Sequence, residues 1–183
     1  YEILKEQGIV PVIAAGHSLG EYSALVAAGS ISFADAVRTV HLRGKFMQEA
    51  VPLGKGGMAA VIGLDAQRIT EICDSVSTGD KPVQAVNFNC PGQTVIAGES
   101  SAVAKACESL KEAGAKRAIM LKVSAPFHSV LMEPAAKRLK AVLDEIEIKD
   151  AEIPVIANFS ARPEVKAEEI RENLVAQAAP VSY

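Results

Sequence analysis

The sequence is poor in aromatic residues, at 4%, and its 183 residues carry a formal net charge of only −3. A nucleic-acid surface needs clustered basic charge with aromatic stacking, so that class is set aside. Histidines number three (His17, His41, His128) and cysteines three (Cys73, Cys90, Cys107), with no C-x-x-C spacing. That is too little material for a metal site or a disulfide framework, and scattered thiols point to a reducing cytoplasm. No apolar run approaches the ~20 residues of a membrane span; the longest near-continuous one covers residues 9–15. No basic-then-apolar segment opens the sequence, and neither repeats nor low-complexity tracts interrupt it. What is present, 49% hydrophobic and 22% charged residues, is the composition of a folded globular domain. The sequence starts at Tyr1 inside a helical pattern and stops at Val181-Ser182-Tyr183. A piece of a longer chain is expected.

Periodicity divides the sequence into three stretches. In the first, residues 9–15 predict a buried strand, residues 16–20 a tight turn, and residues 21–28 a short helix closed by Gly29. Ser32-Phe33-Ala34-Asp35 has the form of a capping box and opens a helix to about Ala50. Its inward stripe is Phe33, Ala36/Val37, Val40, Arg43/Gly44, Met47 and Val51. Residues 54–57, Gly-Lys-Gly-Gly, form an expected flexible joint. In the second stretch the pattern changes to strand 58–62, helix 65–76, strand 83–89, a Cys-Pro-Gly-Gln turn, strand 94–97, helix 101–113 and strand 117–123. That order is β-α-β-β-α-β, the split ferredoxin-like unit. The third stretch predicts a long helix over 130–146, with Leu131, Ala135, Leu139, Val142 and Ile146 on one face. A strand over 153–158 and a helix over 167–178 follow. The reading is therefore α/β: a larger body, residues 1–55 and 125–183, carrying an inserted small subdomain, residues 56–124.

Gly16-His17-Ser18-Leu19-Gly20 is the sharpest motif. It is G-x-S-x-G set between a strand and a helix, the context of a nucleophile elbow. The glycines permit a strained turn that exposes the Ser18 hydroxyl, and the Leu19 N–H at the helix start can face an oxyanion. A nucleophilic serine needs a base. His17 is adjacent but should point away from Ser18, and His41 lies mid-helix. His128, in Ala125-Pro126-Phe127-His128-Ser129 beyond a strand end, is the candidate; the plain alternative is that it or Ser129 only caps the next helix. Arg43 stands where the helix period asks for an apolar residue. An inward guanidinium requires a partner, either an internal acid or a substrate carboxylate gripped by its two-pronged donor face. Gly44 beside it is expected to make room. Asn87 and Asn89 alternate along one strand and should share a face, with Val86 and Phe88 turned to the core. They could line a cleft or a wetted sheet surface. Residues 54–59 match G-x-G-x-x-A only formally, because a strand follows them, so no dinucleotide site is read there. Lys111, Lys116, Arg117 and Lys122 form a modest basic cluster, a solvated face or a surface for an acidic partner protein.

G-H-S-L-G-E-Y-S-A-L-V-A-A-G, L-R-G-K-F-M-Q-E-A, N-F-N-C-P-G-Q-T-V-I-A-G and A-P-F-H-S, in this order, resemble the malonyl-CoA:acyl carrier protein transacylases of bacterial fatty-acid synthesis. Acyltransferase domains of polyketide synthases share these motifs. The resemblance implies an α/β-hydrolase-like body with a ferredoxin-like insert. It implies Ser18 as nucleophile, His128 as base, the Leu19 N–H in the oxyanion hole, and Arg43 on the malonyl carboxylate. Asn87, Asn89, Phe127, Met47 and His17 are implied near the substrate, and Phe127 should crowd an α-methyl branch, favouring malonyl over methylmalonyl. Malonyl-CoA and acyl carrier protein are the implied partners, in the cytoplasm. No metal and no cofactor is implied beyond the phosphopantetheine arm carried by the acceptor. The family's Gly-Gln-Gly-x-Gln segment, which supplies a second oxyanion donor, has no counterpart before Ser18, and the family continues past the other end. The sequence is thus expected to be a fragment lacking both ends. A serine esterase and a fragment that only docks carrier protein or CoA are the rival readings.

Overall fold

Regular structure follows the sequence periods in chain order. The computed structural model describes residues 1–123 and 125–179. Its elements are α1 (Glu2–Glu6), β1 (Ala14–Ala15), α2 (Leu19–Ala27), α3 (Phe33–Ala50), β2 (Gly56–Ile62), α4 (Ala66–Val76), β3 (Val83–Cys90), β4 (Gln93–Glu99), α5 (Ser100–Glu112), β5 (Arg117–Met120), α6 (Glu133–Glu145), β6 (Val155–Ile156), β7 (Pro163–Glu164) and α7 (Ala167–Ala178). The fold is α/β with a mixed and an antiparallel sheet. By internal contacts the chain divides into two compact units, residues 1–44 with 136–177, and residues 45–135 with 178–179. The part of the larger body read at residues 180–183 lies outside the described residues.

The first unit has a three-stranded sheet, β1-β6-β7, with β1 parallel to β6 and β7 antiparallel to it. α2 packs on β1 and β6, burying Tyr22, Ala24 and Leu25. It stops at Gly29, whose φ of 71° only glycine adopts freely. α3 opens as its sequence requires: the Asp35 N–H donates to Ser32 Oγ at 3.1 Å, and Ser32 Oγ donates back to the Asp35 carboxylate at 2.6 Å.

The second unit is a four-stranded antiparallel sheet of order β3-β4-β2-β5. α4 and α5 cover one face, with Ala59, Val61, Ile96 and Val83 of the sheet buried against Ile69, Val103 and Leu110 of the helices. Met58, Val95 and Ala97 lie on the opposite face, with Val86 and Phe127 packed on them. α4 is capped by Asp65, which accepts from the Arg68 N–H, and α5 by Glu99, which accepts from the N–H groups of Ser101 and Ala102. Gly92 at φ 77° turns β3 into β4, as the Pro91-Gly92 pair predicts.

Several expectations are corrected. Only Ala14 and Ala15 of the 9–15 run pair, while Ile9, Val10, Val12 and Ile13 are exposed. Among the described residues this run has one strand neighbour, β6, so its apolar pattern finds nothing to bury against. The strand read at 153–158 shortens to β6, and β5 ends at Met120. Gly56 and Gly57 belong to β2, so no joint lies there. A Cβ on Gly56 would come within 2.3 Å of the Pro126 ring, so the glycine admits that proline. On α3 the buried residues are Ala36, Thr39, Arg43, Phe46 and Met47, and Phe33 and Val37 face solvent. Gly44 has open space beside it and makes no room for Arg43. The helix read over 130–146 begins as a 3₁₀ turn, Val130–Met132, and buries Ala135, Ala136, Leu139 and Leu143. Among the described residues no helix is long and apolar enough to cross a membrane.

Candidate active site

β1 ends at Ala15 and α2 begins at Leu19, so three residues reverse the chain. Ser18 takes φ 51° and ψ −105°, a strained backbone for a residue with a side chain. Gly16 is required by a different constraint, the return of the first helical turn over it. A Cβ there would lie 2.0 Å from Gly20 O and 2.7 Å from Glu21 N. Those atoms are backbone and cannot move aside. Gly16→Ala is expected to destabilise the chain by about 2–4 kcal/mol; a urea midpoint equal to wild type would show that the turn is looser than described.

The turn is pinned by side chains from distant segments. The Ser18 N–H donates to Asn158 Oδ1 at 2.6 Å, and Asn158 Nδ2 donates to Gly16 O at 2.6 Å. Gln177 Nε2 donates to Ser18 O at 3.0 Å and to Glu21 Oε2 at 2.8 Å. Glu21, wholly buried in α2, also accepts from the Asn158 N–H at 2.9 Å. Gly20 N–H returns to His17 O and Glu21 N–H to Ser18 O, while the Leu19 N–H between them makes no such bond. That leaves a donor at the start of α2 for an anionic oxygen.

Arg43 reaches this turn from α3. Its Nη2 donates to Ser18 Oγ at 2.9 Å and to Gln177 Oε1 at 2.8 Å. The side chain is buried, its guanidinium sits 5.8 Å from the Tyr22 ring centroid, and its Nε has no partner. Among the described residues no carboxylate lies within ion-pair distance of Arg43. The internal-acid reading of this arginine is therefore not realised as a direct pair. Burial lowers the Arg43 pKa, while Tyr22 and Glu21 favour its charged form. Burial raises the Glu21 carboxyl above its ordinary value, against the opposing pull of Gln177, the Asn158 N–H and Arg43.

A second buried acid stands nearby in the same unit. Glu164 of β7 is 1% exposed and accepts from Asn173 Nδ2 at 2.7 Å. Burial pushes its carboxyl from 4.5 up to about 7, aided by the charges of Glu21 and Glu169 and opposed by Asn173. A folded-state pKa above the unfolded one means that the folded chain holds the proton more tightly. Its stability contribution is present in full below the unfolded value and is lost as pH rises from there to about 7. Glu164→Gln, which cannot ionise, should flatten the pH dependence and raise stability near pH 8 by about 2 kcal/mol. Urea titrations at about pH 5 and pH 8 test this, and parallel curves for both proteins would refute it.

The remaining predicted residues divide as follows. His17 and Leu19 are exposed on the turn. In the second unit Met47 is buried at 2% exposure. Phe127 packs on Met58, Val95 and Ala97. His128 is half-buried with φ 62°, so both residues read as catalytic are non-glycine residues at positive φ. Its loop is held by Ser129, whose N–H and Oγ both bond Pro126 O, and by the Val130 N–H on Gln84 Oε1 at 2.8 Å. Asn87 pairs with Val95 and so shares the face on which Phe127 lies. Asn89 is the unpaired residue of the irregularity between Phe88 and Cys90, and Val86, read on the opposite face, packs on this same Val95 face because β3 is also irregular between Ala85 and Asn87. Phe88, read as core, is 61% exposed.

Glu21, Asn158 and Gln177 escaped the sequence reading. A signal existed for one: Gln177 falls seven residues after Ile170 and three after Leu174, on the buried stripe of α7, the same anomaly that marks Arg43. Asn158 lies in a loop and carries no such mark.

A strained G-x-S-x-G serine between a parallel strand and a helix, with an arginine on its hydroxyl, gives this α/β protein a turn of the form of a nucleophile elbow. The acyl transferase domain family matches residues 1–179, and the chain belongs to that family. It is 55% identical over 183 residues, all of this chain and 58% of the relative, to the malonyl CoA-acyl carrier protein transacylase of Bacillus subtilis. It is 52% identical over 178 residues to the protein of that name from Escherichia coli K12, covering 97% of this chain and 57% of the relative. Among solved structures, an acyl carrier protein S-malonyltransferase from Vibrio cholerae superposes with a TM-score of 0.95 at 47% identity, over 97% of this chain and 58% of that one. A malonyl-transacylase in complex with a type II polyketide-synthase acyl carrier protein superposes with a TM-score of 0.93 at 51% identity, over the same shares. The chain thus spans somewhat over half the length of these relatives.

Proposed function

We propose that the chain carries the malonyl-transfer chemistry of its relatives: a malonyl group moves from CoA to the phosphopantetheine thiol of an acyl carrier protein through a malonyl ester on Ser18, in cytoplasmic fatty-acid synthesis. The observation that carries this reading is the Arg43 guanidinium 2.9 Å from Ser18 Oγ without a carboxylate of its own. A cation held at the nucleophile suits an acyl group that ends in an anion.

In the forward half, His128 takes the proton of Ser18 as Oγ attacks the thioester carbonyl. The Leu19 N–H receives the oxyanion. The carbon–sulfur bond breaks, CoA leaves as the protonated thiol, and His128 is neutral again. In the second half the carrier thiol gives its proton to His128 and attacks the ester carbonyl, the bond from Ser18 Oγ to the acyl carbon breaks, and His128 returns the proton to Oγ. Every atom is accounted for without a metal or cofactor. Asn87, Asn89, Phe127, Met47 and His17 are assigned to the substrate surroundings on the motifs they belong to. The strand order of the second unit supports its reading as the ferredoxin-like insert, residues 56–124, of an α/β-hydrolase-like body. A carrier of polyketide synthesis is an acceptor of the same chemistry.

Incubation with malonyl-CoA followed by intact-mass measurement tests the proposal. One added malonyl group, discharged by a phosphopantetheine thiol, is the expected result. Release of free malonate without a lasting adduct would mean an esterase, and an unchanged mass would mean a binding module.

A further inference from the structure

The buried arginine and the buried acid of the Ser18 turn do not touch each other. Gln177 stands between them, with Oε1 on Arg43 Nη2 at 2.8 Å and Nε2 on Glu21 Oε2 at 2.8 Å. The amide has only one workable orientation. Arg43 offers donors alone and the Ser18 carbonyl only accepts, so the oxygen faces the first and the nitrogen faces the second. Glu21 Oε2 takes two N–H bonds, from Gln177 and from the Asn158 backbone, which favour its charged form. A guanidinium held in the interior needs an anion within electrostatic reach. A direct two-pronged pair with that anion, however, would occupy the planar donor fork that recognises an incoming carboxylate. The intervening amide meets both requirements. It passes part of the compensation along, and it keeps the acid a side-chain amide away from the cation.

We infer that Gln177 is a positioning residue for substrate selection: it holds Arg43 on the Ser18 turn and keeps it apart from Glu21, so that the guanidinium stays available to the carboxylate of an acyl group on Ser18. The inference rests on the malonyl-transfer reading and adds to it the residue that makes charge selection workable.

Gln177→Glu sets a carboxylate directly on Arg43. Acyl loading from malonyl-CoA and from acetyl-CoA, followed by intact mass over time, should show the malonyl-over-acetyl ratio falling about tenfold or more. The double variant Glu21→Gln with Gln177→Glu restores the buried charge count and should show the same fall, which guards against a single variant that does not fold. Circular dichroism and labelling of Ser18 by a fluorophosphonate identify which variants are folded and reactive. An unchanged ratio in a folded variant overturns the inference, and so does a parallel loss of both acyl groups, the mark of a merely structural role. A wild-type chain that takes no malonyl at all overturns the transfer reading and the inference with it, whereas wild-type loading beside unchanged ratios in the variants overturns the inference alone.

Discussion

Ser18→Ala is expected to end covalent acyl attachment, with loading from malonyl-CoA reduced at least ~10⁴-fold. The expectation follows from the backbone more than from the motif. At φ 51° and ψ −105° the serine is held in a conformation that unconstrained chains avoid. Four side chains maintain it: Asn158 on its N–H, Gln177 on its C=O, Arg43 on its Oγ, and Glu21 behind the first two. Strain kept by that much structure is characteristic of reacting positions. Removing only Oγ leaves the backbone contacts intact, so the variant should fold as wild type does and lose the ester alone. Radiolabelled malonyl that still attaches to the variant after denaturation would remove Ser18 from the nucleophile's role.

Arg43→Ala has the second large effect, and its signature is selectivity. A malonyl group ends in a carboxylate that needs a donor once out of water, and an acetyl group does not. Without the guanidinium, malonyl loading should fall by about 10²- to 10³-fold, while acetyl loading falls far less. The variant leaves Gln177 Oε1 without its cationic donor and Glu21 without its nearest positive charge. The Glu21 carboxyl should then move further above its ordinary value. Arg43→Lys is not a conservative control, because one ammonium cannot hold the Ser18 hydroxyl and Gln177 and still present a two-pronged face. Competition between malonyl-CoA and acetyl-CoA measures the split. A malonyl preference equal to wild type would assign Arg43 to the turn's architecture alone.

Much of this site could be read from local pattern. G-x-S-x-G between a strand and a helix, a cation on an inward helical stripe, and a capping box opening α3 are short-range features, and each recurs in the structure where the pattern puts it. The order of strands and helices in the second unit was legible for the same reason, since periods of two and of 3.6 residues are properties of neighbouring positions. Strict alternation breaks down in β3, because Val86 and Asn89 are extra residues without a partner in β4, and Val86 packs on the face that Asn87 shares. The run at 9–15 failed differently: its composition describes a strand fit to be buried, but burial needs neighbouring strands, and β6 is the one it has among the described residues.

By itself the sequence determined the α/β class, the element order of the second unit, the serine turn and the presence of a buried arginine, but not the short strand β7. Tertiary structure alone decided what that arginine and that serine touch. Asn158 and Gln177 meet Ser18 from 140 and 159 positions away along the chain, and Arg43 meets Gln177 across 134. A helical or strand period carries no information over such distances. The fate of a buried polar group is set by which donors and acceptors the packing of other elements brings within about 3 Å, because only at that range does a hydrogen bond repay the water it displaces.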